Sequence, residues 1–138
     1  MPRMIFVNLP VRDLAVATRF YEALGCRKDE RFSDHQASSM VWSDTISFHL
    51  LATDCFAGFA PRKVADAHAA VEVLLALTFD SREAVDAAAE AAAGNGGKAD
   101  VRAPMDMGCL YNRAFQDPDG HVFEAIHMDG EAAASAPP

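Results

Sequence analysis

The chain is poor in cysteine, in basic residues and in long apolar runs. Its three cysteines, Cys26, Cys55 and Cys109, are odd in number, scattered, and form no CxxC pair. No disulfide framework follows from them, and a reducing cytoplasm is the expected location. Lys and Arg number 12 against 20 Asp and Glu, a formal charge of −8. A nucleic-acid backbone needs a basic footprint that is missing here, and an anionic membrane surface is disfavoured for the same reason. No apolar stretch approaches the roughly 18–20 residues that span a bilayer, and the opening MPRMIF lacks the charged-then-apolar order of a secretory signal.

Apolar residues are plentiful: 51% of the 138 are hydrophobic, enough for a packed core in one domain over residues 1–130. The tail 131–138 (EAAASAPP) has nothing to bury and reads as disordered. Met4–Leu9 is β-rich and apolar, a largely buried strand. Asp13 then suits a helix N-cap, Leu14, Ala17, Phe20, Tyr21 and Leu24 follow at helical spacing, and Gly25 suits the stop. Arg27–Phe32, Gln36–Trp42 and Ile46–Ala52 read as three short strands separated by turn formers, and Asp54–Ala70 as a connecting segment.

A second strand and helix follow. Glu72–Phe79 is a near-continuous apolar run, Asp80 or Ser81 caps a helix, and Gly94–Gly97 stops it. Three more strands are expected over Lys98–Arg102, Cys109–Gln116 and Val122–His127, the last two joined through Asp117-Pro118-Asp119-Gly120. Leu9–Asp13 before the first helix corresponds to Leu77–Ser81 before the second, an offset of 68 positions (9 to 77). The simplest architecture is α+β: two βαβββ modules, about 4–53 and 72–128.

Three stretches stand in the order and spacing of a known family: Val11-Arg12-Asp13-Leu14 at the first helix start, Phe20-Tyr21 within it, and Phe115-Gln116-Asp117-Pro118-Asp119-Gly120 running on to Glu124. In this layout the chain resembles the vicinal oxygen chelate superfamily, which includes glyoxalase I, bleomycin resistance proteins and extradiol dioxygenases. The resemblance covers roughly residues 4–128. It implies paired modules around a cavity that holds a divalent metal, bound by one side chain from the first and one from the last strand of each module. It also implies a homodimer, with residues of both copies around each cavity.

Carried over, the four metal positions fall on Phe6, His49, Leu74 and Glu124. His49 and Glu124 offer imidazole nitrogen and carboxylate oxygen, whereas Phe6 and Leu74 offer only carbon. The resemblance with this departure implies a glyoxalase-like protein with a degenerate metal site and no required cofactor. It would bind a small organic molecule in an apolar cavity, with metal-independent acid–base chemistry open to His49 and Glu124. The alternative is a divalent-metal-dependent lyase, similar to lactoylglutathione lyase, or a dioxygenase, using His49 and Glu124 as ligands. Sequestration and catalysis both remain open, and the partner in either case is a small molecule rather than nucleic acid or membrane.

Strand parity adds further candidates. Asn8 shares the face of Phe6, and Thr78 that of Leu74, so both are polar groups available to a ligand in an apolar cavity. Trp42, Tyr111 and Arg113 are candidate stacking and anion-binding groups, Trp42 more readily a core residue and Arg113 equally a surface ion-pair former. His35, His121 and His127 read as surface residues.

Overall fold

The computed structural model describes residues 2–130; the tail expected to be disordered lies outside the described residues. Strand β1 (Ile5–Val11) leads into helix α1 (Leu14–Leu24), followed by β2 (Arg27–Asp29), β3 (Ala37–Val41) and β4 (Ile46–Ala52). A short helix α2 (Thr53–Phe59) and an irregular stretch over 60–74 connect to β5 (Leu75–Thr78) and helix α3 (Arg82–Gly94). Then come β6 (Lys98–Ala99), β7 (Met105–Asp106), β8 (Leu110–Gln116) and β9 (Val122–Met128). The first sheet has the order β1-β4-β3-β2 and the second β5-β9-β8-β6, with β7 also on β8. Only β1–β4 and β5–β9 are parallel, so each module is a mixed sheet with one helix. None of the described helices is long and apolar enough to cross a membrane.

The local chemistry behind these elements is mostly capping and register. Asp13 accepts from the Val16 amide and starts α1, and Gly25, at φ +121°, ends it in a conformation that a side chain would strain. Of the two expected caps for α3, Ser81 is used, accepting from the Ala84 amide at 3.0 Å. Strand β5 is shorter than the apolar run 72–79 because its partner gives out: Leu75 pairs with Phe123, and β9 begins only one residue earlier. The strand expected over 27–32 stops at Asp29, whose side chain accepts from the Arg31 amide and opens a 3-10 turn over Glu30–Phe32.

The modules share one core, built from the helix-facing sides of both sheets. Phe48 of β4 meets Phe123 of β9 at 5.5 Å between ring centroids, and Tyr21 of α1 lies against both, at 5.6 and 5.9 Å. Phe20 and the stacked pair Phe115–Phe123 complete this aromatic centre. Each fully buried ring contributes about 1.5–3 kcal/mol of apolar burial. Polar clips cross the same seam. The Tyr21 hydroxyl donates to Asp117 Oδ2 at 2.7 Å, the Arg12 amide donates to Asp119 Oδ1 at 2.9 Å, and His121 Nε2 donates to the Pro10 carbonyl at 2.9 Å. His127 Nδ1 likewise donates to the Phe79 carbonyl at 2.9 Å. His121 and His127 are therefore half-buried ties between elements rather than surface residues, because each imidazole reaches a backbone carbonyl of another element or its flank.

Candidate functional site

Strand alternation sorts β1 and β4 into two faces. Leu9, Val11, Phe48 and Leu50 point into the core, and Phe6, Asn8, Ser47 and His49 line the opposite face. Asn8 sits opposite His49 in the parallel ladder. Phe6, two residues earlier, leans diagonally onto the imidazole with ring centroids 4.9 Å apart and planes inclined by 34°. Phe6 is 51% exposed although it is aromatic and on a strand. His49 is half-buried and has no hydrogen-bond partner among the described residues. Burial lowers its pKa from the ordinary histidine value, which favours the neutral imidazole.

The second module repeats the arrangement. Leu75 and Leu77 face inward, while Leu74, Ala76 and Thr78 are exposed on the other side. Ala76 is opposite Glu124 as Asn8 is opposite His49. Glu124 Oε2 accepts from Arg102 Nη2 at 2.8 Å and from Asn112 Nδ2 at 3.4 Å. The same Arg102 nitrogen donates to Asn112 Oδ1 at 2.8 Å, and Nη1 donates to the Ala103 carbonyl at 2.9 Å. Glu124 thus lies in a polar triad, which answers how a carboxylate is tolerated on an otherwise apolar strand.

Arg102 reaches this face through a turn that begins at Asp100. With φ +53°, Asp100 is the one described non-glycine residue with positive φ. Asp is among the few residues that accept that geometry without a large penalty. Its carboxylate is gripped by Arg113 at 2.8 and 3.1 Å, and this ion pair holds its pKa below the usual aspartate range. Arg113 also reaches Asp86 of α3 at 2.9 Å, and Tyr111 donates to the same carboxylate at 2.7 Å.

Tyr111 and Arg113 therefore stand on the helix side of β8, with Phe115, and the structure does not bring them to the Glu124 face. Trp42 is also on the helix side, where it packs edge-on against Phe79 at 5.4 Å and closes on Gly25. Asn8 and Thr78 do lie on the faces that parity assigned them. No hydrogen bond or ion pair joins His49 to Glu124 among the described residues. The reason is the shared core: Phe48 and Phe123 touch through the inner faces, so the two outer faces are turned away from that contact. Asn112 was within reach of sequence reasoning, since its parity is opposite to that of the core residue Phe115. Arg102 carried no signal, because its arrival depends on the Asp100 turn.

A cavity of about 830 Å³ lies elsewhere, between β1, α2, the 60–73 stretch and the turn at Gly120–Val122. It takes in Asn8 but neither His49 nor Glu124. Asn8 thus sits both beside His49 and on the wall of this groove.

Comparison with known proteins places this geometry. The sequence pattern described as Glyoxalase/Bleomycin resistance protein/Dioxygenase superfamily matches residues 3–125. No curated protein matches the chain. A hypothetical protein from S. aureus superposes with a TM-score of 0.76 at 24% identity, covering 92% of this chain and 95% of its own. A glyoxalase/bleomycin resistance protein/dioxygenase family enzyme from Burkholderia phytofirmans gives 0.74 at 20% identity, covering 92% and 99%. The fosfomycin resistance protein FosX from Mesorhizobium loti gives 0.62 at 22%, covering 91% and 90%. At these identities the likeness is one of fold.

Proposed function

This chain belongs to the Glyoxalase/Bleomycin resistance protein/Dioxygenase superfamily, and we propose that it binds a small organic molecule without a metal, at a site assembled from the Phe6/His49 face of one copy and the Leu74/Glu124 face of a second. The observation that carries the metal-free reading is the Arg102–Glu124 ion pair at 2.8 Å. A guanidinium already holds one oxygen, Oε2, of the carboxylate that a divalent ion would need. The remaining donors fit a metal no better: Phe6 and Leu74 have none, which leaves His49 alone. Among the described residues no three His, Cys, Asp or Glu side chains gather as a metal group. Two protein donors, one of them ion-paired, form too small a shell for tight binding of a hard or borderline cation.

The two-copy assembly is supported by what each face leaves open. Phe6 and Leu74 are 51% and 56% exposed, and β1 and β5 are edge strands paired on one side only. Exposed apolar edges of this kind are normally covered. Sedimentation at micromolar protein is expected to give a particle of twice 14.8 kDa; a monomer at that concentration overturns the assembly. Within the site, neutral His49 is the group able to accept a proton, and Asn8, beside it, orients a polar ligand atom. Cytoplasmic location fits the three unpaired thiols, Cys26, Cys55 and Cys109.

Metal analysis of the purified protein tests the central claim. Less than about one-tenth of an equivalent of any divalent ion is expected, with no selective rise in melting temperature from Zn²⁺, Ni²⁺, Mn²⁺ or Fe²⁺. A stoichiometric ion that disappears in His49→Ala would overturn the metal-free reading in favour of a metal-dependent lyase or dioxygenase.

A further inference from the structure

We propose that the ligand of this site is a flat, apolar or aromatic molecule whose polar end is a hydrogen-bond donor, neutral or cationic, and that a carboxylate or phosphonate in the same place is rejected. The inference rests on the reading above that the Phe6/His49 and Glu124 faces line one site.

The donor count of Arg102 excludes an anion. A guanidinium grips an oxyanion through one of two forks, Nη1 with Nη2 or Nε with Nη2, and each fork uses one Nη2 proton. Here both Nη2 protons are committed, one to Asn112 Oδ1 and one to Glu124 Oε2, and Nη1 gives one of its protons to the Ala103 carbonyl. No complete fork is left. Arg102 is a positioning residue for Glu124, and what it positions is an acceptor. Glu124 Oε1 accepts no hydrogen bond among the described residues. No buried side-chain oxygen there is without a partner, so Oε1 reaches solvent. A ligand meets a carboxylate oxygen in need of a donor, on a chain whose formal charge is −8.

The other face supplies the apolar half of the preference. The Phe6 ring is exposed and braced by the neutral His49 imidazole, forming a shelf against which a flat ring stacks.

One phenyl series with three head groups reads the proposal directly. Benzylamine, benzyl alcohol and benzoate are titrated into the full chain at pH 7 by ligand-observed NMR. Benzylamine is expected to bind tightest, with benzoate weaker by about tenfold or more, the effect of a lost charge-assisted hydrogen bond and an unpaired oxygen facing it. Glu124→Gln is expected to bring benzylamine down to within about threefold of benzyl alcohol, and Phe6→Ala to weaken all three together. Benzoate binding as well as benzylamine overturns the inference and leaves the small-molecule reading standing. Failure of all three to bind at about 10 mM removes that reading and the inference with it.

Discussion

Replacing Asp117 with alanine is expected to lower stability by about 3–5 kcal/mol, which for a chain of this size is roughly 10–20 °C in melting temperature. Asp117 is fully buried at the seam between the modules. One carboxylate oxygen takes the Tyr21 hydroxyl at 2.7 Å, and the other takes the amides of Asp119 and His121 at 2.9 Å. Removal strands three donors, one of them a wholly buried phenol. Tyr21→Phe deletes only the hydroxyl and is expected to cost about 1–2 kcal/mol. The double variant should cost little more than Asp117→Ala, because both changes break the same bond. Thermal and guanidinium melts decide it, and a loss below about 1 kcal/mol for Asp117→Ala would mean that the seam does not depend on this carboxylate.

The same residue has a pH signature. Burial, the largest influence, raises the Asp117 pKa above the ordinary aspartate value, against the opposing pull of His121 and the Tyr21 hydrogen bond. A carboxyl raised on folding contributes its stability in full below its unfolded pKa and loses it as the pH climbs through the folded value. The advantage of wild type over Asp117→Asn, which cannot ionise, is therefore expected to shrink as the pH rises from about 4. Asp86, Asp100 and Asp106 run the other way. Ion pairs or hydrogen bonds lower their pKa values, so their contributions fade in acid.

The DPDG segment shows what sequence reasoning reaches and where it stops. Proline and glycine identify a tight turn from local rules alone, and the turn is there between β8 and β9. That its first aspartate crosses to Tyr21, 96 positions away, is a tertiary fact with no local correlate. Helices α1 and α3, their caps and the 68-residue repeat are readable for the same reason as the turn: 3.6-residue periodicity and cap chemistry act over a few neighbours. The short α2, which has no side-chain cap, falls in a stretch read only as a connection. The outer-face positions Asn8 and Thr78 follow from two-residue parity once the family resemblance has placed Phe6 and Leu74. On β8 the anchor was missing. Tyr111 and Arg113 carry attractive chemistry, but Phe115 fixes their parity to the α3 side, and Asn112 takes the site face instead. Arg102 lies outside any strand, so no periodicity could place its guanidinium on Glu124.

Gly97→Ala is the second large effect, and it arises where local and tertiary demands meet. The run Gly94-Asn95-Gly96-Gly97 reads as a helix stop, but its three glycines differ: Gly96, at φ +89°, holds a backbone conformation that a side chain would strain. A Cβ on Gly94 would meet nothing within 4 Å, so Gly94→Ala is expected to be neutral or stabilising by up to about 1 kcal/mol. A Cβ on Gly97 would sit 2.2 Å from the Gln116 carbonyl oxygen, 2.7 Å from the Phe20 ring and 3.0 Å from the Ala92 carbonyl. None of the three can step aside. Gln116 is held in the β6–β8 ladder by Lys98, the Ala92 carbonyl already accepts from the Gly97 amide at 2.9 Å, and Phe20 is locked against Tyr21 and Phe115. The methyl must therefore push α1 away from the second sheet. The expected loss is at or above the top of the roughly 1–3 kcal/mol range for an overpacked core. Melts of the two variants side by side should separate by about 3–4 kcal/mol. If Gly97→Ala melts with wild type, α1 is free to shift against β8, and the shared core cannot be what turns the His49 and Glu124 faces outward.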